Sequence, residues 1–323
     1  MVKKKHTVIS LFCGCGGSSL GYKLAGFKEL LAVDWDRHAE TVFQDNFHDV
    51  PFWNRNVVEL EANEILKRCN IQKGELDVLD GSPPCQGFSI SGKRKVNDSR
   101  NMLFENFVRI IQGLEPKVFL MENVPGMVRG KMKGMFIEIM KSLKALDYEV
   151  ECRKLNAMHY NVPQSRERLF FIGVRKDLGI KPVFPKPNPK WTSVKDALKG
   201  VPEDTEIKYF EGKSSIYMKK TKQGEQASDY HPNGSMFNFV RLQWAKPSNT
   251  ITKTMNQRMS GLAHPEEDRF LTISELKRLS SFPDNFKMSG KFEEKWARIG
   301  NAVMPNQMRA IAQTIKEEIL ENV

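Results

Sequence analysis

The chain has 323 residues and a formal net charge of +11, with 40% hydrophobic and 28% charged residues. This balance is typical of folded proteins and excludes a largely disordered chain. No apolar run reaches the roughly 18 residues of a membrane-spanning helix, so the sequence predicts a cytosolic protein that does not bind a membrane. The five cysteines are odd in number and lack a paired zinc spacing, which excludes a disulfide framework and argues against a metal site.

The positive charge is the first indication of a partner. Fifty lysine and arginine residues stand against 39 aspartate and glutamate residues. Neutralising phosphates releases condensed counterions, so a chain this basic is suited to binding nucleic acid. A solubilising basic surface explains the same charge, and composition alone leaves both explanations open.

Residues 1–175 alternate between short apolar runs and helical patterns. Five apolar runs predict buried strands: Thr7–Phe12, Leu30–Val33, Leu76–Leu79, Val118–Met121 and Leu169–Val174. Apolar residues recur at helical spacing over 103–114, behind a cap at Asp98 or Ser99, and again over 132–143. Strands that alternate with helices predict a parallel sheet covered on both faces.

The composition changes near Lys181, where four prolines in ten residues indicate a linker. Few segments between there and Asp268 are periodic. Thr272 and Glu275 then have the spacing of a capping box that opens a helix, and a last helix is predicted over 305–321. We therefore predict one α/β domain of residues 1–183 and 268–323, interrupted by an irregular basic insert of residues 184–267.

Glycines follow the first predicted strand in the segment Leu11-Phe-Cys-Gly-Cys-Gly-Gly-Ser-Ser-Leu-Gly21. They allow the backbone to approach a ligand, and Asp34 lies where a carboxylate can hold ribose hydroxyls. These features predict a nucleoside-cofactor site. A nicotinamide dehydrogenase is the competing interpretation, but Ser19 stands where the dinucleotide fingerprint has its third glycine. A simple tight turn would also explain the glycines.

A cysteine lies on a Pro-Pro turn in the segment Asp80-Gly-Ser-Pro-Pro-Cys-Gln-Gly-Phe-Ser89, directly after a predicted strand. The carboxyl edge of a parallel sheet is where ligands bind. A thiolate is the competent nucleophile, and a nearby cation or hydrogen-bond donor must favour it. Free cysteines are often inert core residues, but the flanking Pro, Gln, Gly and Ser argue against burial, so Cys85 is a candidate nucleophile.

Two further motifs adjoin predicted strands. Glu122 ends an apolar strand, so we expect it at the same sheet edge as Cys85, where a carboxyl group can keep a proton and act as an acid. A capping role is the alternative for this residue. Arg166 and Arg168 occupy alternate positions before another strand and are expected on one face, unless they form a surface salt-bridge pair.

Together these motifs resemble, in order and spacing, those of the DNA cytosine-5 methyltransferases, and the resemblance covers nearly the whole chain. The similar segments are Phe12-Cys-Gly-Cys-Gly-Gly17 (the S-adenosylmethionine loop), Pro83-Pro-Cys-Gln86 (the nucleophile motif), Glu122-Asn-Val124 (the acid motif), Gln164-Ser-Arg-Glu-Arg168 (the arginine motif), Arg241 with Pro247-Ser-Asn-Thr-Ile251 (the ninth motif) and Gly300-Asn-Ala-Val303 (the closing motif). One departure is Asn56, which stands where the family commonly has an acid that recognises adenine.

The resemblance implies the fold and the site residues. It implies an α/β fold, a Rossmann-like methyltransferase sheet with helices on both faces, plus a smaller, irregular and mostly β target-recognition domain over 184–267. The implied catalytic residues are Cys85, Glu122, Arg166 and Arg168. The implied cofactor-binding residues are Phe12, Gly14, Gly16, Gly17, Asp34, Trp35, Asn56, Val57, Pro84, Leu103, Asn301 and Val303. The implied DNA-binding residues are Gln86, Ser89, Ser91, Lys93, Arg100 and Arg241.

The resemblance also implies a reaction and its partners. Cys85 would add to carbon 6 of a flipped-out cytosine in a specific double-stranded DNA sequence, and carbon 5 would then take the methyl group of S-adenosylmethionine. We expect a bacterial monomer, acting in the cytoplasm on DNA, with a restriction endonuclease for the same site as a possible counterpart that forms no stable complex with it. A transfer-RNA cytosine methyltransferase and a non-enzymatic DNA-binding relative are the alternatives. The basic insert argues against the first, and the presence of Cys85 and Glu122 against the second.

Overall fold

The computed structural model describes residues 5–84, 101–128, 133–234, 239–258 and 260–323. The chain divides into two compact units. The first comprises Met1–Leu155, Glu167–Lys186 and Met308–Val323, and the second comprises Asn156–Arg166 and Pro187–Gln307. The predicted insert, residues 184–267, lies almost entirely in the second unit, which also takes in residues 268–307. Among the described helices, none is long and apolar enough to span a membrane.

A seven-stranded sheet forms the framework of the first unit, in the order β3-β2-β1-β4-β5-β7-β6. The strands are β1 (Thr7–Leu11), β2 (Lys28–Asp34), β3 (Phe52–Asn54), β4 (Val78–Gly81), β5 (Val118–Asn123), β6 (Tyr148–Asn156) and β7 (Glu167–Arg175). The mixed α/β class is confirmed, and the five predicted strands are present. The sheet is parallel from β3 to β5, as predicted.

β7 differs from the prediction of a parallel sheet because it runs antiparallel to β5. Only residues 157–166 connect β6 to β7, and their regular structure is one short 3-10 helix, Ala157–Tyr160. A parallel neighbour needs a crossover of a dozen or more residues, usually a helix. The short connection therefore reverses the chain, and the start of β7 lies at the same edge of the sheet as the end of β5.

Helices α4 (Asn101–Leu114) and α5 (Lys133–Lys144) of the first unit match the two predicted helical patterns. Helices α1 (Gly17–Leu24), α2 (Arg37–Gln44) and α3 (Ala62–Cys69) were not predicted. The caps predicted at Asp98 and Ser99 lie outside the described residues. Buried side chains of α4, such as Phe107 and Ile111, pack with Ile9, Leu79 and Phe119 in one apolar core.

The second unit contains α6 (Val194–Leu198), α7 (Lys213–Lys220), β8 (Phe239–Arg241), β9 (Gly261–Ala263), α8 (Ile273–Leu279) and α9 (Phe292–Asn301), and α10 (Pro305–Glu318) follows. The capping box at Thr272 and Glu275 is confirmed. Phe239 and Phe270 stack with ring centroids 5.3 Å apart in the core of the unit. The mostly β content expected for residues 184–267 is wrong for the described residues. Helices α6 and α7 together contain more residues than β8 and β9, which have three residues each. The segment lacks the long alternating apolar runs that form longer strands.

Candidate active site

The glycine loop contains three residues with left-handed backbone, a conformation that favours glycine. Gly14 has φ +55° and Gly16 has φ +88°, and Phe12 is also left-handed at φ +57°. A Cβ atom at Gly16 would lie 2.4 Å from the ring of Phe47, whereas nothing lies within 4 Å of one at Gly14. Gly16 and Gly17 begin α1. The loop is therefore packed on one side and open on the other, which fits the close approach of a ligand.

Asp34 fixes this loop from the end of β2. Its Oδ2 atom accepts a hydrogen bond of 2.8 Å from the Gly14 amide, and its Oδ1 atom accepts one of 3.0 Å from the Asp36 amide. Trp35, the next residue, is 73% exposed. A large indole that is left on the surface beside a carboxylate is suited to stacking against a ligand.

Asn56 and Val57 follow β3 and adjoin the same sheet edge. The Asn56 side-chain oxygen caps the turn by accepting from the Val58 amide at 3.2 Å. Its side-chain nitrogen makes no hydrogen bond to the described part of the chain. Val57 is buried at 3% exposure. The Asn56 amide therefore retains a donor where the family commonly presents an acceptor.

Two cysteines within the loop, Cys13 and Cys15, are buried, which argues against either as a nucleophile. Cys13 is 8% exposed and Cys15 is 2% exposed. Burial, together with the negative charges of Asp34 and Glu29, raises the pKa of Cys13 well above its ordinary value. A neutral, enclosed thiol is a poor nucleophile.

The ends of β4 and β5 bring the nucleophile motif beside the acid motif. Gly81 lies opposite Met121 in the parallel register. The Asn123 side-chain nitrogen then donates to the Pro83 carbonyl oxygen at 3.0 Å. Pro84 is exposed, and the chain proceeds from it to Cys85. Cys85, Gln86, Ser89, Ser91, Lys93 and Arg100 lie outside the described residues, so their predicted roles stay predictions.

Glu122 and Arg168 meet at this edge. The Arg168 Nε atom lies 2.9 Å from Glu122 Oε1, and the two side chains are 15% and 14% exposed. Arg168 Nη1 donates to the Glu167 carbonyl oxygen at 2.7 Å. Glu122 Oε2 and Arg168 Nη2 make no hydrogen bond within the described ranges. The pair therefore leaves one carboxyl oxygen and three guanidinium N–H groups without a partner among the described residues.

Arg166 has a different environment from Arg168, which corrects the expectation that both arginines act together on the substrate. Arg166 is 2% exposed, within the second unit. Its guanidinium donates to the carbonyl oxygens of Ile251, Gly300 and Ala302 at 2.9–3.2 Å. These bonds hold the ninth and closing motifs, so the side chain of Arg166 has a structural role, and its catalytic role stays a prediction.

Arg241 is likewise corrected from a DNA contact to a structural residue. It is 5% exposed, and all five of its N–H groups are used within the second unit. The acceptors are the carbonyl oxygens of Met218, Thr221, His264 and Glu267 and the Oδ1 atom of Asp268. No donor remains for a phosphate or a base edge.

The remaining predicted cofactor residues occupy both units. Leu103 is partly buried on α4 in the first unit. Asn301 ends α9 and is exposed in the second unit, and Val303 is 9% exposed there. Their contacts with a cofactor stay predictions.

Sequence reasoning assigned no role to Asn123 or Gln164, although both lie in its motifs. Gln164 is fully buried, accepts from the Ile251 amide at 3.2 Å and donates to the Leu279 carbonyl oxygen at 3.3 Å. A buried amide that joins distant segments leaves no periodic pattern in the sequence from which its role could be predicted. The sequence showed only that these polar residues stand beside the candidate catalytic residues.

The carboxyl edge of this sheet carries the glycine loop, the Asp34 carboxylate and the Glu122–Arg168 pair, an arrangement typical of an enzyme that transfers a group from a nucleoside cofactor. The model of the C-5 cytosine-specific DNA methylases matches residues 6–317, and the chain belongs to this family. It is a DNA cytosine-5 methyltransferase. Enzymes of this family generally depend on S-adenosylmethionine.

Similar proteins agree with this assignment. The chain is 36% identical to the type II methyltransferase M1.HphI of Haemophilus parahaemolyticus, covering 96% of this chain and 86% of the relative. It is also 36% identical to the type II methyltransferase M.Eco47II of Escherichia coli, covering 96% of this chain and 78% of that relative. A crystal structure described as a DNA modification methyltransferase from an E. coli prophage has a TM-score of 0.80 and 27% identity, covering 98% of this chain and 100% of that one. The crystal structure of a Spodoptera frugiperda DNMT2 mutant shares the fold, with a TM-score of 0.71 and 20% identity. That match covers 97% of this chain and 99% of the other.

Proposed function

We propose that the chain transfers a methyl group from S-adenosylmethionine to carbon 5 of a flipped-out cytosine in a specific duplex DNA sequence, through a covalent Cys85 adduct. The observation that carries the proposal is the Glu122–Arg168 pair at the end of β5. Asn123, the next residue, binds the Pro83 carbonyl oxygen, two residues before Cys85. An acid and a cation thus meet beside the segment that leads to Cys85.

Covalent addition solves a specific chemical problem. Carbon 5 of cytosine is a poor nucleophile because the ring is aromatic and electron-poor. Addition of the Cys85 thiolate at carbon 6 breaks the aromaticity and makes carbon 5 enamine-like. Negative charge develops on the ring during this addition. Protonation or hydrogen bonding at ring nitrogen 3 therefore lowers the barrier.

We propose that Glu122 and Arg168 stabilise that charge. In our proposal the Oε2 atom of Glu122 carries a proton to ring nitrogen 3, while Arg168 Nη2 holds the ring carbonyl oxygen. Because Arg168 Nε remains bound to Oε1, the acid keeps its orientation through the proton transfer. After carbon 5 has taken the methyl group, it loses its proton to a water molecule, and the carbon 6–sulfur bond breaks to release the Cys85 thiolate. The proton on ring nitrogen 3 returns to the Glu122 carboxylate, which completes the cycle.

The glycine loop fits the cofactor. The open side of Gly14 admits close approach, Asp34 can accept from ribose hydroxyls in addition to its two backbone bonds, and Trp35 offers an exposed ring. When it is bound there, S-adenosylmethionine supplies an electrophilic methyl group on a sulfonium. Asn301 and Val303 remain proposed cofactor residues without a described contact.

The target base must leave the duplex to reach this edge. Flipping costs a few kcal/mol of unpairing and unstacking, which protein contacts to the backbone must offset. The segment after the nucleophile motif contains Lys93, Arg94 and Arg100, which we propose as phosphate partners.

We propose that residues 184–267 select the DNA sequence. They contain basic side chains such as Lys219 and Lys220 at the end of α7, and they contain none of the proposed catalytic residues. Exchanging them for the same region of a relative with a known target should transfer the target, since each base contact contributes about 1–3 kcal/mol of discrimination. An active chimera that keeps the original target would contradict this part of the proposal.

The bacterial type II relatives favour a role in a restriction-modification system, with action on cytoplasmic DNA and a separately acting endonuclease for the same site. The deciding experiment compares methyl transfer to duplex DNA and to transfer RNA by the purified protein. Bisulfite sequencing of DNA from expressing cells then identifies the methylated sequence. We expect methylation of duplex DNA at one recurring site. Methylation of transfer RNA alone, or of neither substrate, would overturn the proposal.

A further inference from the structure

The strand order of the first unit sets the direction in which a bound nucleoside must lie. Strands β3, β2, β1, β4 and β5 are neighbours in that order and run parallel, so their carboxyl ends share one edge. Asp34, the proposed partner of the ribose hydroxyls, ends β2, and Glu122 lies near the end of β5. The methyl-bearing end of the cofactor must face β4 and β5 to reach the substrate. The base, on the other side of the ribose, therefore faces β3.

Asn56 lies where that base would meet the protein. Asp34 of β2 lies opposite Asn54 of β3 in the parallel register. The backbone amide of Arg55 then donates to the Asp34 carbonyl oxygen at 3.1 Å. Asn56 is the next residue, and it is partly buried. Two neighbouring strand ends would thus present Asp34 to the sugar and Asn56 to the base.

A backbone hydrogen bond fixes which end of the Asn56 amide is available. Its Oδ1 atom accepts from the Val58 amide at 3.2 Å and so caps the 3-10 helix Val57–Glu59. Its Nδ2 atom, which carries two N–H groups, makes no hydrogen bond to the described residues. Turning the amide over would place an N–H group against the Val58 N–H group and lose the cap. Asn56 therefore offers a ligand a donor and not an acceptor.

The edge of adenine carries both kinds of group. Its 6-amino group donates hydrogen bonds, whereas its unsubstituted ring nitrogens accept them. A donor on the protein can pair with a ring nitrogen but not with the amino group. The Asn56→Asp change reverses this preference with almost no change in shape, because one carboxylate oxygen keeps the cap and the other becomes an acceptor.

We propose that Asn56 is a specificity-determining residue, which donates to a ring nitrogen of the base and leaves the 6-amino group of the cofactor unrecognised. This inference rests on the proposed function, since it takes the glycine loop and Asp34 as the S-adenosylmethionine site. A site that hydrogen-bonds a ligand group rejects the analogue without that group, because the site's own polar atom is then left unpaired. Asn56 imposes no such penalty, so the site accepts purine nucleoside cofactors that lack the 6-amino group.

The test compares calorimetric binding of S-adenosylhomocysteine with that of its purine-riboside analogue, in which a hydrogen atom replaces the 6-amino group. The wild-type protein should bind the analogue no more than about threefold more weakly, since no hydrogen bond from Asn56 is lost. Asn56→Asp should bind the analogue about tenfold or more weakly than S-adenosylhomocysteine, because its second carboxylate oxygen then lacks a donor.

Two further variants isolate the effect of the donor. Asn56→Ser keeps a capping oxygen but has no second polar atom, so it should weaken binding of both ligands by the same factor of about five. Asn54→Asp adds a negative charge at an exposed position two residues away and should keep the wild-type ratio of the two dissociation constants. Because the two ligands carry the same charge, that ratio does not respond to charge alone.

The outcomes separate this inference from the proposed function. A wild-type protein that binds neither ligand would contradict the proposed cofactor site itself. A wild-type preference for S-adenosylhomocysteine above about threefold would show that the amino group is recognised and would overturn the inference. The wild-type ratio in Asn56→Asp, or full affinity in Asn56→Ser, would exclude Asn56 from contact with the base. If Asn56→Asp does not fold, the wild-type ratio and the Asn56→Ser affinities decide the question.

Discussion

The Arg168 Nε atom lies 2.9 Å from Glu122 Oε1, although the two residues belong to strands that run in opposite directions. Glu122 is near the end of β5, and Arg168 is near the start of β7. The reversal of β7 is what brings them to one edge. A parallel β7 would have placed Arg168 at the opposite edge of the sheet, far from the nucleophile motif.

Replacing Glu122 with Gln should lower kcat by about 10²–10⁴-fold, the usual contribution of a positioned acid. The amide cannot protonate ring nitrogen 3, while the size of the side chain is kept. Single-turnover methyl transfer at saturating cofactor measures the effect. Glu167→Gln is the control, because Glu167 is 38% exposed and pairs with Lys154. Equal rates in the two variants would exclude Glu122 as the acid.

Replacing Asn123 with Ala should slow methyl transfer without weakening cofactor binding. The change removes the bond to the Pro83 carbonyl oxygen and so frees the segment before Cys85. Losing a buried hydrogen bond should also lower the free energy of unfolding by about 1–3 kcal/mol. Urea unfolding and the single-turnover rate test both effects. Asn322→Ala, at an exposed position, should change neither. A normal rate in Asn123→Ala would show that this bond does not position the nucleophile.

Substitutions of Arg241 and of Lys219 should affect different properties, the first stability and the second DNA binding. Arg241→Met leaves Asp268 and four carbonyl oxygens without their donor, so it should lower the free energy of unfolding by about 3–5 kcal/mol. Lys219→Met should leave unfolding nearly unchanged, weaken binding to every duplex and flatten its salt dependence. Chemical unfolding and DNA titrations at several salt concentrations distinguish them. A stable Arg241→Met protein with weakened DNA binding would restore the contact predicted from sequence.

Gly16→Ala should weaken S-adenosylhomocysteine binding tenfold or more. Its Cβ atom would lie 2.4 Å from the Phe47 ring at a backbone φ of +88°, so the loop must shift. Gly126→Ala is the control, because no atom lies within 4 Å of its added carbon. Calorimetric binding tests the pair. Unchanged affinity in Gly16→Ala would mean that the glycine loop does not hold the cofactor.

The sequence was sufficient to predict β1, β2, β4, β5 and β7 and helices α4 and α5, because their apolar periodicity is local, whereas β3, β6 and α1 to α3 were not predicted. β1, β4 and β5 are short apolar runs, and α4 and α5 have clear helical stripes. The direction of β7 was not predictable in this way. It depends on how the short connection at 157–166 folds back, and no periodic pattern encodes that reversal.

Residue types in motifs were sufficient to select candidate site residues but not to predict which of them are buried. The sequence placed Glu122 and Arg168 among the candidates, and the structure pairs them. It also treated Arg166 and Arg241 as ligand contacts, because a buried arginine and an exposed one look the same in a sequence. The interior role of each depends on carbonyl oxygens contributed by segments up to 136 residues away.

Covalent trapping tests the central claim most directly. A duplex that contains the methylation site, with 5-fluorocytosine at the target position, is incubated with the protein, and the mixture is run on a denaturing gel. Fluorine cannot leave carbon 5 as a proton does, so the Cys85 adduct should persist after methyl transfer. We expect a shifted protein–DNA band with S-adenosylmethionine, none without it, and none for Cys85→Ser. A shifted band that survives in Cys85→Ser, or an active wild-type protein that forms no band, would contradict the covalent mechanism.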